Sequence, residues 1–205
     1  MNIAVVGTSG KSGRVFAMAA VAAGHQVRGG IYHKNSGLEA QGLTLVKCDA
    51  TNQQDIENLI TGQDAVVCLI GHVRGSPANV QTDAIKNIIA VMEKSGPKRL
   101  ISLTGTGVRL PSDKFRLIDH LMNAAIKLAD ISRITDGINH VHIIQKSNLS
   151  WTVIRVLKLT NSRPRKYKLL PHGPTKILIP RAEVAQAILE CLEQNSFVKK
   201  APIIG

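Results

Sequence analysis

Aromatic side chains are scarce, with one Trp, two Tyr and three Phe making up 3% of 205 residues. Proteins that grip single-stranded nucleic acid stack bases on such rings, so a nucleic-acid partner is not expected despite a net charge of +12. Cysteine is equally sparse. Cys48, Cys68 and Cys191 are widely spaced and form no C-x-x-C pair, which argues against a disulfide framework or a zinc knuckle and fits a reducing cytoplasm. Long apolar runs are missing too: Val15 to Ala23 falls well short of the roughly 18 residues that a membrane span needs. No basic leader precedes it, so a soluble, unprocessed cytoplasmic protein without a membrane partner is expected. Acid is absent from Gly137 to Ala182, a stretch that carries Lys146, Arg155, Lys158, Arg163, Arg165, Lys166, Lys168, Lys176 and Arg181. Such a stretch makes either a solvated basic face or a surface that draws a phosphorylated cofactor or an anionic substrate.

What is present is enough apolar residue, 44% of the chain, to bury the core of a single domain. Short β-branched runs alternate with helical patterns, which predicts βαβ units around a parallel sheet. Strands are expected at Ile3 to Val6, Gln26 to Ile31, Leu43 to Lys47, Ala65 to Ile70, Arg99 to Leu103 and Trp151 to Val156. Helices are expected from Gly13 to Ala23 and, capped by Thr51 with Gln54 three residues on, up to Gly62. A third, with Ile85, Ile88, Ile89 and Met92 on one face, ends at Ser95-Gly96-Pro97. Two consecutive helices, Lys114 to Ala129 and Ile134 to Ser147, follow without a strand between them, and a last helix spans Arg181 to Gln194 before the apolar tail Ala201 to Ile204.

The first strand runs into Gly7-Thr8-Ser9-Gly10-Lys11-Ser12-Gly13. A strand, three spaced glycines and a helix provide what a pyrophosphate needs: a tight turn, close backbone approach and an unblocked helix N-terminus. Two rival motifs fail on spacing. A P-loop requires glycine where Val5 stands, and a G-x-S-x-G elbow requires it where Lys11 stands. The reading is a Rossmann-type doubly wound parallel sheet in three α/β/α layers over residues 1–205, with substrate-side elaborations at about 110–150 and 157–180. The second strand leads into Ile31-Tyr32-His33-Lys34-Asn35, where no carboxylate awaits the 2′-hydroxyl of NAD. His33 and Lys34 therefore favour NADP(H) over NAD(H). Asp49 stands either at the adenine edge or as a helix-capping group near Thr51.

Several segments resemble one family. The opening Ile3 to Gly13, the Cys48-Asp49-Ala50 step, Gly62-Gln63-Asp64-Ala65-Val66-Val67, the Ser147 to Arg155 segment and Arg181-Ala182-Glu183-Val184-Ala185 together resemble the atypical short-chain dehydrogenase/reductases. Within that group they look most like the NAD(P)H-binding proteins related to flavin reductase/biliverdin-IXβ reductase and the NmrA-like proteins. The resemblance implies that Gly7, Thr8, Ser9, Gly10, Lys11, Ser12 and Gly13 hold the pyrophosphate and that Asp49 and Ala50 hold adenine. It further implies that Leu69, Ile70 and Gly71 pass under the adenine ribose, that Thr104 presents a hydroxyl near the nicotinamide, and that Lys158 lies in the loop lining that pocket. Arg155 meets either substrate or the carboxyl edge of the sheet. The chain departs from the family at Tyr32 or His33, where an Arg is usual, at Gly105 in place of Ser, and at Val156 in place of Pro.

The Tyr/Lys dyad of typical short-chain dehydrogenases is absent: four residues after Tyr32 and Tyr167 stand Ser36 and Pro171. No H-E-x-x-H exists, and His140 and His142 point different ways on a helix, so no metal site is expected. The function expected is hydride transfer from NADPH to a flavin or quinone-like planar acceptor, with Thr104 and Lys158 as the catalytic candidates. The alternative is a non-catalytic NADP(H) sensor controlling a protein partner. Nucleotide-sugar epimerase or dehydratase chemistry is disfavoured by the missing dyad.

Overall fold

The computed structural model describes residues 1–32, 37–73, 75–111, 113 and 131–205. Strand β1 (Asn2–Val6) sends alternate side chains to opposite faces: Ile3 and Val5 to one core, Ala4 and Val6 to the other. Both faces are apolar, so helices must cover both. On the first face lie α1 (Lys11–Ala22) and α5 (Arg181–Glu193), where Phe16, Ala17 and Ala20 meet the surface made by Val184, Ala187, Ile188 and Cys191. On the second lie α2 (Gln53–Ile60), α3 (Val80–Ser95) and α4 (Ile131–Lys146), which contribute Ile56, Leu59, Ile85, Ile88, Met92, Val141 and Ile144. Phe16 is fully buried, and removing such a side chain from water contributes about 1.5–3 kcal/mol.

The sheet places β1 between β2 (Gln26–Ile31) and β4 (Ala65–Cys68). The remaining strands are β3 (Leu43–Lys47), β5 (Arg99–Gly105), β6 (Ser150–Val156), β8 (Leu169–Leu170) and β10 (Ile203–Ile204), in the order β3-β2-β1-β4-β5-β6-β10-β8. All pairings are parallel except β10 with β8. The chain builds outward from β1 to β3, then returns to the other side of β1. That reversal opens a crevice beyond the carboxyl ends of β1 and β4, the usual ligand position in such sheets. A separate parallel pair, β7 (Lys158–Thr160) with β9 (Leu178–Pro180), begins just after β6 in the chain.

The expected bounds of the second and third strands are met, and others move for local reasons. β4 ends at Cys68 rather than Ile70: Leu69 N still donates to Val6 O, but Ile70 O is taken by Gln81 Nε2 at 2.9 Å. The second helix is capped by Asn52, not Thr51, because Asn52 Oδ1 accepts from the amides of Gln54 and Asp55. Thr51 is bound instead to Asp49. The first helix begins two residues before Gly13, since Gly10 forms its cap. The apolar tail becomes β10, hydrogen-bonded through Pro202 O to Arg155 N. The helix expected at Lys114 to Ala129 lies outside the described residues. No helix among them is long and apolar enough to cross a membrane.

Candidate dinucleotide cleft

The glycine loop crosses the crevice directly, and its glycines are demanded by space. Gly7 has φ +89°, and a Cβ there would stand 3.2 Å from Ile70 N and from the Leu69 carbonyl. The loop and the exit of β4 thus touch backbone to backbone. A Cβ on Gly13 would lie 2.2 Å from Gly7 O and 2.8 Å from Thr8 Cα, so the first turn of α1 packs on the loop with no room for a methyl group. Thr8 is turned inward: its Oγ1 donates to Val5 O at 2.9 Å and its amide to Gly30 O at 3.0 Å. Gly29 makes space for that side chain, which a Cβ would approach to 2.8 Å.

What this scaffold presents is a bare helix start. No side chain caps α1, and its first turn carries no acid. The amides of Lys11, Ser12 and Gly13 precede the first helical hydrogen bond, from Arg14 N to Gly10 O. Ser9 and Lys11 are exposed and Ser12 half-buried. Donors with partial positive charge and an exposed lysine fit a pyrophosphate. Thr8 contributes scaffold and backbone, whereas Ser9 and Ser12 offer hydroxyls.

Around the crevice, Asp49 donates its amide to Asp55 Oδ2 at 2.8 Å, while its own Oδ1 accepts from Thr51 N and Oγ1. Its other carboxylate oxygen forms no hydrogen bond among the described residues. Buried Ala50 beside it gives its carbonyl to Asn87 Nδ2 at 3.0 Å. Burial above all, then Asp55 and Asp49, push the Cys48 thiol up to about 12, which keeps its thiolate scarce at neutral pH. Leu69 is nearly buried, Ile70 half-buried and Gly71 exposed at the exit of β4. His33 and Lys34 lie outside the described residues.

On the acceptor side, Thr104 is buried near the end of β5 and faces Gly137 of α4, whose Cβ would lie 3.1 Å from Thr104 Oγ1. Lys158, exposed at the start of β7, is anchored by its amide to Ile177 O. Arg155 sits elsewhere than in an open substrate site. It is fully buried, with Nε on Ala201 O at 2.8 Å, Nη1 on Val108 O at 3.1 Å, and both Nη atoms on the Asp113 carboxylate. Its guanidinium is engaged inside the fold. A cavity of about 380 Å³ between residues 107–111 and α4, lined by Val108, Leu110, Ile138, Val141, His142 and Gln145, includes no residue of the glycine loop.

Sequence reasoning missed one polar cluster here. Asp136 of α4 is buried and caps α3, its Oδ2 accepting from Gln81 N and its Oδ1 from Thr82 N, both at 2.9 Å. His72 Nε2 lies 2.8 Å from the same Oδ2. Burial alone would raise the carboxyl, but hydrogen bonds from Thr82, Gln81 and His72 outweigh it and hold Asp136 below the usual carboxylate range. One turn on, fully buried His140 joins Gln81 O through Nδ1 and Ser102 Oγ through Nε2. A carbonyl only accepts, so Nδ1 carries the proton and Nε2 accepts from Ser102. Burial keeps this ring neutral, against the smaller pull of Gln81 O and Asp136. The legible signal was a carboxylate set among Ile134, Gly137 and Val141 on an otherwise apolar helix face.

The profile of the NAD(P)H-binding family matches residues 7–195, from the first glycine of the loop to the end of α5. The chain belongs to this family. Solved structures share the fold over its whole length. An anaerobillin reductase from Escherichia coli O157:H7 is 18% identical, with a TM-score of 0.83 and 96% of its own chain covered. A wide-type short-chain dehydrogenase/reductase from Veillonella parvula DSM 2008, crystallised with NADP, is 17% identical with a TM-score of 0.82 and 94% covered. A candidate NADH-flavin reductase from Streptococcus pneumoniae TIGR4 is 18% identical with a TM-score of 0.77 and 98% covered. At such identities the likeness establishes architecture, and the doubly wound α/β sheet expected from the sequence is that architecture.

Proposed function

We propose that the chain is an NADPH-dependent reductase of a flavin or a similar planar acceptor, acting in the cytoplasm without a Tyr/Lys dyad. The observation that carries this reading is the bare N-terminus of α1 over a loop whose Gly13 admits no side chain. Thr104 near the end of β5 and Lys158 at the start of β7 are the candidates proposed for the acceptor side. Bound at the loop, the reduced dinucleotide supplies a hydride. The chain's own part is to grip the pyrophosphate through the amides and hydroxyls of the Gly7–Gly13 loop, and to keep Thr104 Oγ1 free of hydrogen bonds among the described residues. The second strand's exit, lacking a carboxylate and carrying His33 and Lys34, supports NADPH over NADH. A relative crystallised with NADP is consistent with that preference.

The acceptor side supports an anion-tolerant, flat substrate. Lys158, Arg163, Arg165, Lys166 and Lys168 are exposed and make no ion pair among the described residues. The Tyr167 hydroxyl is held by Glu190, and its phenol is pushed up by burial first and by that carboxylate next, which makes it a weaker proton donor. The test is NADPH oxidation by the purified protein with FMN, riboflavin and quinones. Acceptor-dependent loss of reduced nicotinamide absorbance is expected. Saturable NADPH binding with no turnover on any acceptor would replace the reductase reading by that of a dinucleotide sensor.

A further inference from the structure

We propose that His72, oriented by Asp136, hands a proton from its Nδ1 to the acceptor; this rests on the reductase reading. His72 stands two residues beyond Ile70, at the exit of β4 that touches the glycine loop. Its side chain is 9% exposed and that of Asp136 1%. Asp136 already accepts two backbone amides, and an ionised carboxylate has no proton to give, so the hydrogen in the 2.8 Å bond belongs to His72 Nε2. The tautomer is thereby fixed. Nδ1 forms no hydrogen bond among the described residues and is the ring nitrogen left open to a bound molecule.

The pair also stands in the right neighbourhood. Gly137 follows Asp136 in the chain, and its missing Cβ would be 3.1 Å from Thr104 Oγ1. Consecutive residues of α4, Asp136 and Gly137, thus contact His72 beyond the end of β4 and Thr104 near the end of β5. His140, one turn on from Asp136, does not compete, since both its nitrogens are engaged. Capping α3 needs Asp136 alone, so the histidine is extra to that task. A buried carboxylate aligning an imidazole is an arrangement that serves proton transfer.

In the step, the acceptor receives the hydride's electron pair from the reduced dinucleotide, and the charge left on its heteroatom takes the proton. The donor is the doubly protonated imidazolium: its Nδ1–H bond breaks, an O–H or N–H bond forms on the acceptor, the ring is left neutral with its proton on Nε2, and solvent returns a proton to Nδ1. The dinucleotide is oxidised and the acceptor reduced.

His72→Gln retains a donor for Asp136 and loses the exchangeable site; His72→Ala opens space. Both are expected to bind NADPH within about twofold of wild type by calorimetry, while turnover falls at least about tenfold, the low side of general-acid contributions. Added imidazole should restore part of the rate in His72→Ala. In the ligand-free protein, nitrogen NMR should find His72 protonated at Nε2 and not Nδ1 when neutral, a preference lost in Asp136→Asn. Wild-type turnover in His72→Gln, or a neutral ring protonated at Nδ1, overturns the proposal alone. A wild type inactive on every acceptor overturns it together with the reductase reading.

Discussion

Adding one methyl group at Gly13 tests the cleft most sharply, because the obstruction is backbone and cannot swing aside. In Gly13→Ala the new Cβ falls 2.2 Å from Gly7 O and 2.9 Å from Gly7 C. Real Cβ atoms stay beyond 3.0 Å, so the loop and the helix start must part by close to an ångström. Overpacking of this kind costs about 1–3 kcal/mol. At about 2–4 °C per kcal/mol for a chain of this size, Tm should fall by roughly 2–12 °C. The same displacement carries phosphate-facing amides from hydrogen-bonding distance to well past about 3.2 Å. Losing two bonds to a charged group, each about 1.5–3 kcal/mol, weakens dinucleotide binding by roughly 10² to 10⁴. Gly10→Ala is the control, since its Cβ meets only Gly7 O at 3.2 Å and its φ of −71° suits any residue. Calorimetric titration with NADPH and a thermal melt of each variant give the comparison. Folded Gly13→Ala that binds NADPH within about fivefold of wild type would refute the reasoning.

Acid should destabilise the fold in two stages. His140 is held below its ordinary 6.5 and Asp136 below 3.8, so in each case the unfolded chain takes up a proton before the native one does. That contribution is complete above about pH 7, falls first through His140 and then, below about pH 4, through Asp136. Thermal melts across this range check it, and His140→Gln should flatten the upper stage. Arg155→Met leaves the Asp113 carboxylate buried without its partner, which costs about 3–5 kcal/mol. A melt lowered by roughly 6 °C or more is expected, with partial recovery when Asp113 is replaced by Leu in the same chain.

Much of this architecture was legible because it is local. The short Leu-Thr-Leu-Val stretch of β3 and the turn residues around Gln26–Ile31 mark those strands by themselves, and the three loop glycines announce a backbone approach that the structure realises at Gly7 and Gly13. The Asn52 cap was misassigned to its neighbour because Thr51 and Asn52 carry equally suitable oxygens, and only the Asp49 contact decides between them. A two-residue strand such as β10 has no period to read. Pairings across the fold were invisible for a different reason: Asp113 lies 42 residues before Arg155 and Asp136 lies 64 after His72. Such partners are chosen by topology, which sequence patterns fix only at the level of strand order.

Titration of the purified chain with NADPH and with NADH tests most directly whether a dinucleotide seats across the Gly7–Gly13 loop. One saturable site per chain is predicted, tighter for NADPH than for NADH and lost in Gly13→Ala. Equal affinities would contradict the role given to His33 and Lys34, and saturation by neither nucleotide would contradict the cleft itself.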